Sequence, residues 1–244
     1  MSDTLRLAIF ISGGGTTMLE VIRACRDRRI HHTEPALIIA SRPGAGGIQK
    51  ALDEGMKEEN VLVLSRKDYK TDDAFGEAIL AACTERRVDV IAQCGWLALT
   101  PPAVIAAYRD RIFNQHPGPL DSGRPDFGGQ GMYGKRVHAA VIYFARRIPR
   151  PFHTEATVHK VAEEYDRGAT IGISRVEISP EDDAESLARR VLPYEHRLVI
   201  DTLARYAMYG SLPSLCRDTP LIQDDEKEII AAAKVAAIEQ YPKG

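Results

Sequence analysis

The run Leu7-Ala8-Ile9-Phe10-Ile11 is continuously apolar and stops abruptly at Ser12-Gly13-Gly14-Gly15-Thr16-Thr17. Met18, Leu19, Val21 and Ile22 then recur at helical spacing, so the stretch reads as a buried strand, a glycine turn and an amphipathic helix. The pattern repeats. Residues 36–40 form a second strand candidate, followed by Ser41-Arg42-Pro43-Gly44-Ala45-Gly46-Gly47 and a short helix through Ile48, Ala51 and Leu52. Residues 61–64 and 88–92 are third and fourth strands, separated by a helix with Phe75, Ile79, Leu80 and Cys83 on one stripe. Ile112-Phe113-Asn114-Gln115-His116 is a fifth, broken by Pro117-Gly118. Strands alternating with helices imply an α/β fold: a Rossmann-like, mostly parallel twisted sheet with helices on both faces. Ligands of such sheets bind beyond the carboxyl ends of the strands, which puts Gly13 to Thr17, residues 93–98 and residues 114–118 at one rim.

The second half departs from this rhythm. Residues 120–134 hold several glycines with Pro125, Phe127, Met132 and Tyr133 and have little periodicity, which predicts a long functional loop rather than disorder. A helix over 135–146 follows. Residues 154–161 and 170–178 alternate as strands around the turn Glu163-Glu164-Tyr165-Asp166-Arg167-Gly168, an appended β-hairpin. Asp183 can cap a long helix that carries Pro193, and an alanine-rich helix over about 226–240 ends the pattern. The composition changes near 210–218, dividing the chain into a domain over 1–212 and a C-terminal helical tail over 213–244. The tail is too small to stand alone; it either packs on the domain or mediates self-association as a homodimer.

A net charge of −2 over 244 residues gives no cationic field for nucleic acid, although Arg146, Arg147 and Arg150 form a local patch suited to one anion. The cysteines Cys25, Cys83, Cys94 and Cys216 are scattered without a CxxC, as reduced thiols of a cytoplasmic protein are. No cationic leader opens the sequence and no run of eighteen apolar residues occurs, so neither secretion nor a membrane partner is expected.

Three places carry chemistry. Asn114 and His116 are two apart on one strand and leave on the same face, an amide donor beside a titratable ring, suited to a carbonyl oxygen becoming an oxyanion while a proton moves. The alternative is a turn in which His116 is simply exposed. The turn Gly13-Gly14-Gly15-Thr16-Thr17 opens a helix whose first N–H groups can cradle a phosphate, though it lacks the lysine of a Walker motif. Cys94-Gly95-Trp96-Leu97-Ala98-Leu99 is an apolar rim loop in which Trp96 either walls a flat ligand or packs in the core. His116, His138, His159 and Asp166 have no established metal-ligand spacing, so no metal is expected; His138 and His153 read as surface or helix-end residues.

In this order and spacing, the glycine turn, Cys94-Gly95-Trp96-Leu97, Asn114-Gln115-His116-Pro117, Thr157-Val158-His159 with Tyr165-Asp166-Arg167-Gly168, and Glu195-His196 resemble the phosphoribosylglycinamide (GAR) formyltransferases, which use 10-formyltetrahydrofolate in purine synthesis. Phe127-Gly128-Gly129-Gln130-Gly131-Met132-Tyr133-Gly134 is similar to a stretch of some members. The resemblance spans about residues 7–212. It implies that Asn114, His116 and Asp166 are catalytic, with Asp166 favouring protonated His116. Gly13, Gly14, Gly15, Thr16 and Thr17 would bind the substrate phosphate, and an ionised Glu195 the ribose. Trp96, Leu97, Ala98, Leu99, Tyr165, Arg167 and Gly168 would contact the folate, with His159 bracing the site. It also implies glycinamide ribonucleotide and 10-formyltetrahydrofolate as the small-molecule partners. Ala98 stands where many members carry arginine, and Arg167 and Ala169 depart from the common Asp-Gly-Gly-Pro turn. The other readings are a formyltransferase for another amine, a formyltetrahydrofolate hydrolase, and a non-catalytic phosphate- or nucleotide-binding module.

Overall fold

The structure, a computed structural model, describes residues 4–242. Its strands are β1 (Leu5–Ile11), β2 (Thr33–Ala40), β3 (Val61–Val63), β4 (Val90–Gln93), β5 (Ile112–His116), β6 (Thr154–Lys160) and β7 (Thr170–Val176). Its α-helices are α1 (Thr16–Arg26), α2 (Gly46–Asp53), α3 (Asp72–Glu85), α4 (Pro102–Ala107), α5 (Lys135–Ala145), α6 (Ala184–Tyr209) and α7 (Lys227–Gln240). The strands form one seven-stranded sheet in the order β3-β2-β1-β4-β5-β6-β7, the expected α/β architecture. The chain divides into two compact units. One comprises the chain up to Gln115 with Lys160–Glu163 and Val199–Leu212; the other comprises His116–His159, Glu164–Leu198 and the chain from Pro213.

In the first unit β1 to β5 pair in parallel. Phe10, Leu37, Ile39, Phe75, Ile79, Ile91 and Val104 make its core. β2 starts earlier than its apolar run suggests, because Thr33-Glu34-Pro35 extends it. Proline cannot donate to a ladder, and the register against β1 slips between Leu7 and Ala8, where Pro35 and Leu37 are the successive partners. β4 starts later than expected, since the Val88 amide closes α3 by donating to Cys83 O at 2.9 Å. Strand order reverses between β1 and β4, the place where a doubly wound sheet opens a crevice. The loops after these strands are joined there: Ser12 N donates to Gly95 O at 2.9 Å, and Leu97 N to Ser12 Oγ at 2.8 Å.

In the second unit β6 and β7 form the antiparallel hairpin, with a register shift between Val158 and His159. Phe127, Val141, Phe144, Ala156, Leu187, Val191, Ile230 and Ala233 build its core. Asp183 caps α6 as expected, accepting from Ser186 N at 2.7 Å. The segment after residue 212 is wired into this unit. α7 packs on α5, Arg136 Nε donates to Tyr241 O at 2.7 Å, and Leu221 N donates to Asp121 Oδ2 at 2.9 Å. Arg217 forks onto the wholly buried Glu155, one arm at 3.1 Å, and also donates to Leu120 O.

The arginine patch expected to hold an anion is spent internally. Arg150 is bidentate on Glu226 at 2.7 Å, Arg146 donates to Pro180 O and Asp182 O, and Arg147 lies 3.5 Å above the Tyr143 ring centroid. Among the described residues no helix is long and apolar enough to cross a membrane.

Candidate active site

β5 ends at His116, whose side chain is 3% exposed, which removes the reading of an exposed turn histidine. Its Nε2 lies 3.2 Å from Phe127 O. A carbonyl oxygen only accepts, so this contact sets a proton on Nε2 and leaves Nδ1 as the atom that can gain or lose one. Nδ1 faces Asp166 Oδ2 at 3.5 Å. The other carboxylate oxygen, Oδ1, lies 3.4 Å from His159 Nε2, so one carboxylate stands between two buried imidazoles. Gly129 N donates to Oδ2 at 2.9 Å.

Asp166 holds this position with φ 58°, a left-handed conformation that aspartate tolerates better than most residues. Burial alone would raise its pKa, but His116, His159 and the Gly129 amide outweigh it and hold the carboxyl well below its ordinary value. Burial draws His116 below the usual imidazole range; Asp166 pulls upward without cancelling that. The carboxylate therefore favours protonation of the ring, yet burial shifts it toward neutrality.

The loop over 120–134 supplies the wall of this cluster. Asp126 fixes it, accepting from Gly128 N and Asp121 N, each at 3.0 Å. Gly128 must lack a side chain: a Cβ there would sit 2.7 Å from Asp166 Cβ and 2.6 Å from Leu120 Cδ2. Arg167 turns back onto the same loop, with Nη1 at 3.4 Å from Asp126 Oδ2 and 3.3 Å from Arg124 O. Its own carbonyl accepts from Ser122 Oγ at 2.9 Å. The departure from the common turn at this position thus has a local role, stitching two loops together. Tyr165 is half-buried and Gly168 buried beside it. His138, expected at the surface, is 3% exposed on α5. Its Nδ1 has no partner among the described residues, and burial, then His116, push it down to about 4. α5 is covered so widely that Arg136 and His138 are both inside. His153 is half-buried and lies 3.4 Å from Glu155 Oε1.

Glu195, on α6 two residues past the internal Pro193, is 5% exposed rather than solvated. Burial pushes it up to about 8, a shift toward the neutral carboxyl and away from the ionised form expected.

In the first unit, the glycine turn ends at Gly15 with φ 66°, and α1 begins without a side-chain cap. The turn is seated on the start of α2: Gly47 N donates to Gly13 O at 3.1 Å, and a Cβ on Gly15 would lie 2.6 Å from Gly47 Cα. Lys50 Nζ donates to Gly14 O at 2.8 Å, bringing a cation that the motif itself lacks. Thr16 begins α1 and Thr17 is buried within it. Trp96 packs in the core, stacked on Phe75 with centroids 6.4 Å apart and tilted against Phe10 at 5.1 Å. Ala98 lies against that core, whereas Leu97 and Leu99 are exposed. Asn114 is half-buried, in register with Gln93. Sequence reasoning missed Lys50, Asp126 and Gly128; the Gly46-Gly47 pair opening α2 and the Asp-Phe-Gly-Gly run were the available signals.

The first unit thus carries a glycine turn after β1, and the second a buried His116-Asp166-His159 cluster. A family model described as formyl transferase matches residues 5–203, and the chain belongs to that family. It is 33% identical over 199 residues to a chloroplastic phosphoribosylglycinamide formyltransferase of Arabidopsis thaliana, covering 81% of this chain and 64% of that one. A counterpart of the same name from Vigna unguiculata is 31% identical, covering 81% and 59%. The chain thus spans about three-fifths of the length of these curated relatives. Among solved structures, glycinamide ribonucleotide transformylase 1 of Geobacillus kaustophilus is similar with a TM-score of 0.70 and 33% identity, covering 84% of this chain and 99% of that one.

Proposed function

We propose that this protein transfers the formyl group of 10-formyltetrahydrofolate to the primary amine of glycinamide ribonucleotide, as a phosphoribosylglycinamide formyltransferase in purine synthesis. The observation that carries the reading is the buried carboxylate of Asp166 between His116 and His159, with His116 two residues beyond the amide of Asn114. The substrate amine attacks the formyl carbon and the carbonyl oxygen becomes negative. Asn114 donates a hydrogen bond to that oxygen, and His116 stabilises it. The attacking nitrogen must lose a proton and N10 of the folate must gain one as the C–N10 bond breaks. Nδ1 of His116, with Asp166 stabilising the imidazolium, is the group suited to carry it. Depression of the His116 pKa by burial keeps the ring ready to accept; the carboxylate keeps the accepted proton from being too costly.

In the same reading the turn Gly13 to Thr17, with Lys50 behind it, holds the substrate phosphate, and Glu195 the ribose hydroxyls. The exposed Leu97 and Leu99, the backbone around Ala98, and Tyr165 and Gly168 form the folate contacts. Trp96 supports that loop from the core, and Arg167 shapes the loop around Asp166. The polypeptide needs no metal for this chemistry. Its four unpaired cysteines suit a cytoplasmic setting, and a homodimer is tested by sedimentation. Residues 1–212 are the catalytic portion, with 213–244 added to it. Incubating the purified chain with both substrates should yield the N-formyl ribonucleotide and tetrahydrofolate by mass spectrometry. Absence of that product, with turnover of a different amine or of the donor alone, would overturn the assignment.

A further inference from the structure

Beyond the family match, which ends at residue 203, α7 brings one side chain to the reaction centre. Lys234 Nζ donates to Gly128 O at 2.7 Å. Gly128 lies between the two residues that hold the catalytic pair: Phe127, whose carbonyl takes the His116 Nε2 proton at 3.2 Å, and Gly129, whose amide binds Asp166 at 2.9 Å. The peptide planes on either side of Gly128 are therefore the common support of His116 and Asp166. Gly128 has no side chain of its own to brace it. Its amide is held by Asp126 and its carbonyl by Lys234.

Lys234 is not a chance contact of a mobile tail. α7 is packed on α5, its entry is tied by Arg150 to Glu226, and the chain just past it by Arg136 to Tyr241 O and Pro242 O. Burial, the leading influence, lowers the Lys234 pKa, and the nearby Arg167 adds to this; Asp126 and Asp166 act in the opposite sense. An ammonium brought out of water onto a carbonyl, beside two carboxylates, is the arrangement expected of a group kept for the field it makes.

We propose that Lys234, supplied by the C-terminal helix, is a positioning residue of the reaction centre. It fixes the Phe127-Gly128-Gly129 backbone on which His116 and Asp166 rest, and its charge tempers the protonation of that pair. The inference rests on the formyl-transfer reading for its kinetic consequence, but not for its electrostatic one.

The groups facing the His116 ring are Asp166, His159, Asp126 and, on α5, His138. Lys234 adds positive charge to a site in which Asp126 and Asp166 are the acids. Removing it favours protonated His116, so the ring's titration midpoint moves up. The full chain should be prepared as K234M, K234Q and K234R, with K227M as control; Lys227 is exposed on the same helix and pairs only with Asp224 in the described contacts. The His116 imidazole is titrated by NMR, and kcat and both KM values are measured against pH.

K234M should lower kcat about 10- to 100-fold with each KM changed far less, the loss expected when reacting groups are misplaced by a fraction of an ångström to about one. It should also raise the His116 midpoint and move the acid limb of the kcat profile upward. K234Q, which keeps a donor without charge, should recover much of kcat yet still raise the midpoint. K234R should restore both, and K227M should match the wild type. If K234M does not fold, K234Q carries the charge test. An unchanged His116 midpoint in a folded, uncharged variant overturns the proposal, as does a kcat loss with an unshifted profile, which marks a merely structural role. Should the wild type transfer no formyl group at all, the functional reading fails while the NMR midpoint still decides this one.

Discussion

Gly128 and Asp166 are in mutual contact at a point where no side chain can intervene: a methyl group added to Gly128 would lie 2.7 Å from Asp166 Cβ and 3.2 Å from Asp166 Oδ2. The Asp166 carboxylate is thus positioned partly by the absence of atoms. Gly128→Ala must push Asp166 away or distort the loop. It should cost about tenfold or more in kcat and about 1–3 kcal/mol in stability. Steady-state kinetics with a thermal melt checks this, and wild-type values for both would contradict the packing described.

Asp166→Asn separates charge from geometry, since asparagine also accepts the left-handed backbone. Without the carboxylate, the influence raising His116 is lost and the ring's pKa falls further. Formyl transfer should drop about 10²- to 10⁴-fold. The native pKa of Asp166 is depressed, so its stabilising contribution is complete above its unfolded value, near 4, and is lost as pH falls below that. Denaturant melts should show the wild type gaining over the variant at pH 6–7, with the gap closing below about pH 4.

Glu195 behaves in the opposite sense. Its folded pKa is raised to about 8 from an ordinary 4.5, so the folded state holds the proton more tightly than the unfolded chain and stability falls as pH rises between those values. Glu195→Gln should match the wild type near pH 4.5 and melt several degrees higher at pH 8.5. A wild type whose melting point does not fall relative to the variant over that range would refute the raised pKa. The same variant should bind the ribonucleotide more weakly if the carboxyl takes the ribose.

Arg217→Met strips the guanidinium from Glu155, which has no exposure. His153 at 3.4 Å is then the partner left to the Glu155 carboxylate; breaking a buried pair by removing one member costs about 3–5 kcal/mol, so Arg217→Met should unfold earlier than Arg217→Met combined with Glu155→Leu. Equal melting points for the single and double variants would remove the Arg217–Glu155 pair as the tie holding the segment after residue 212.

Much of this was legible because it is local. β1, β4 and β5 announce themselves as apolar runs, and the His116 site by its strand end. The hidden parts depend on distant covering. His138 looks like a helix-surface residue until α5 is seen to be enclosed, and Trp96 suits a ligand wall as well as a core until Phe10 and Phe75 are placed beside it. The first residues of β2 were masked by Pro35, whose missing donor is absorbed by a register slip. Arg167 looks like a lapse from the family turn because its partner, Asp126, is 41 positions away; Lys234 meets Gly128 across 106. Local periodicity does not reach contacts of that range.

Neither compact unit is a continuous piece of chain. The first needs Val199–Leu212 and the second needs the segment from Pro213 onward. A nascent chain that has emerged only to Leu198 therefore holds an incomplete version of both, without the Arg217 that meets Glu155 and the Lys234 that meets Gly128. Every strand of the sheet is made by Val176, yet neither unit can finish folding before the segments beyond Leu198 are available, and until then surfaces that those segments cover stay open to chaperones and to aggregation.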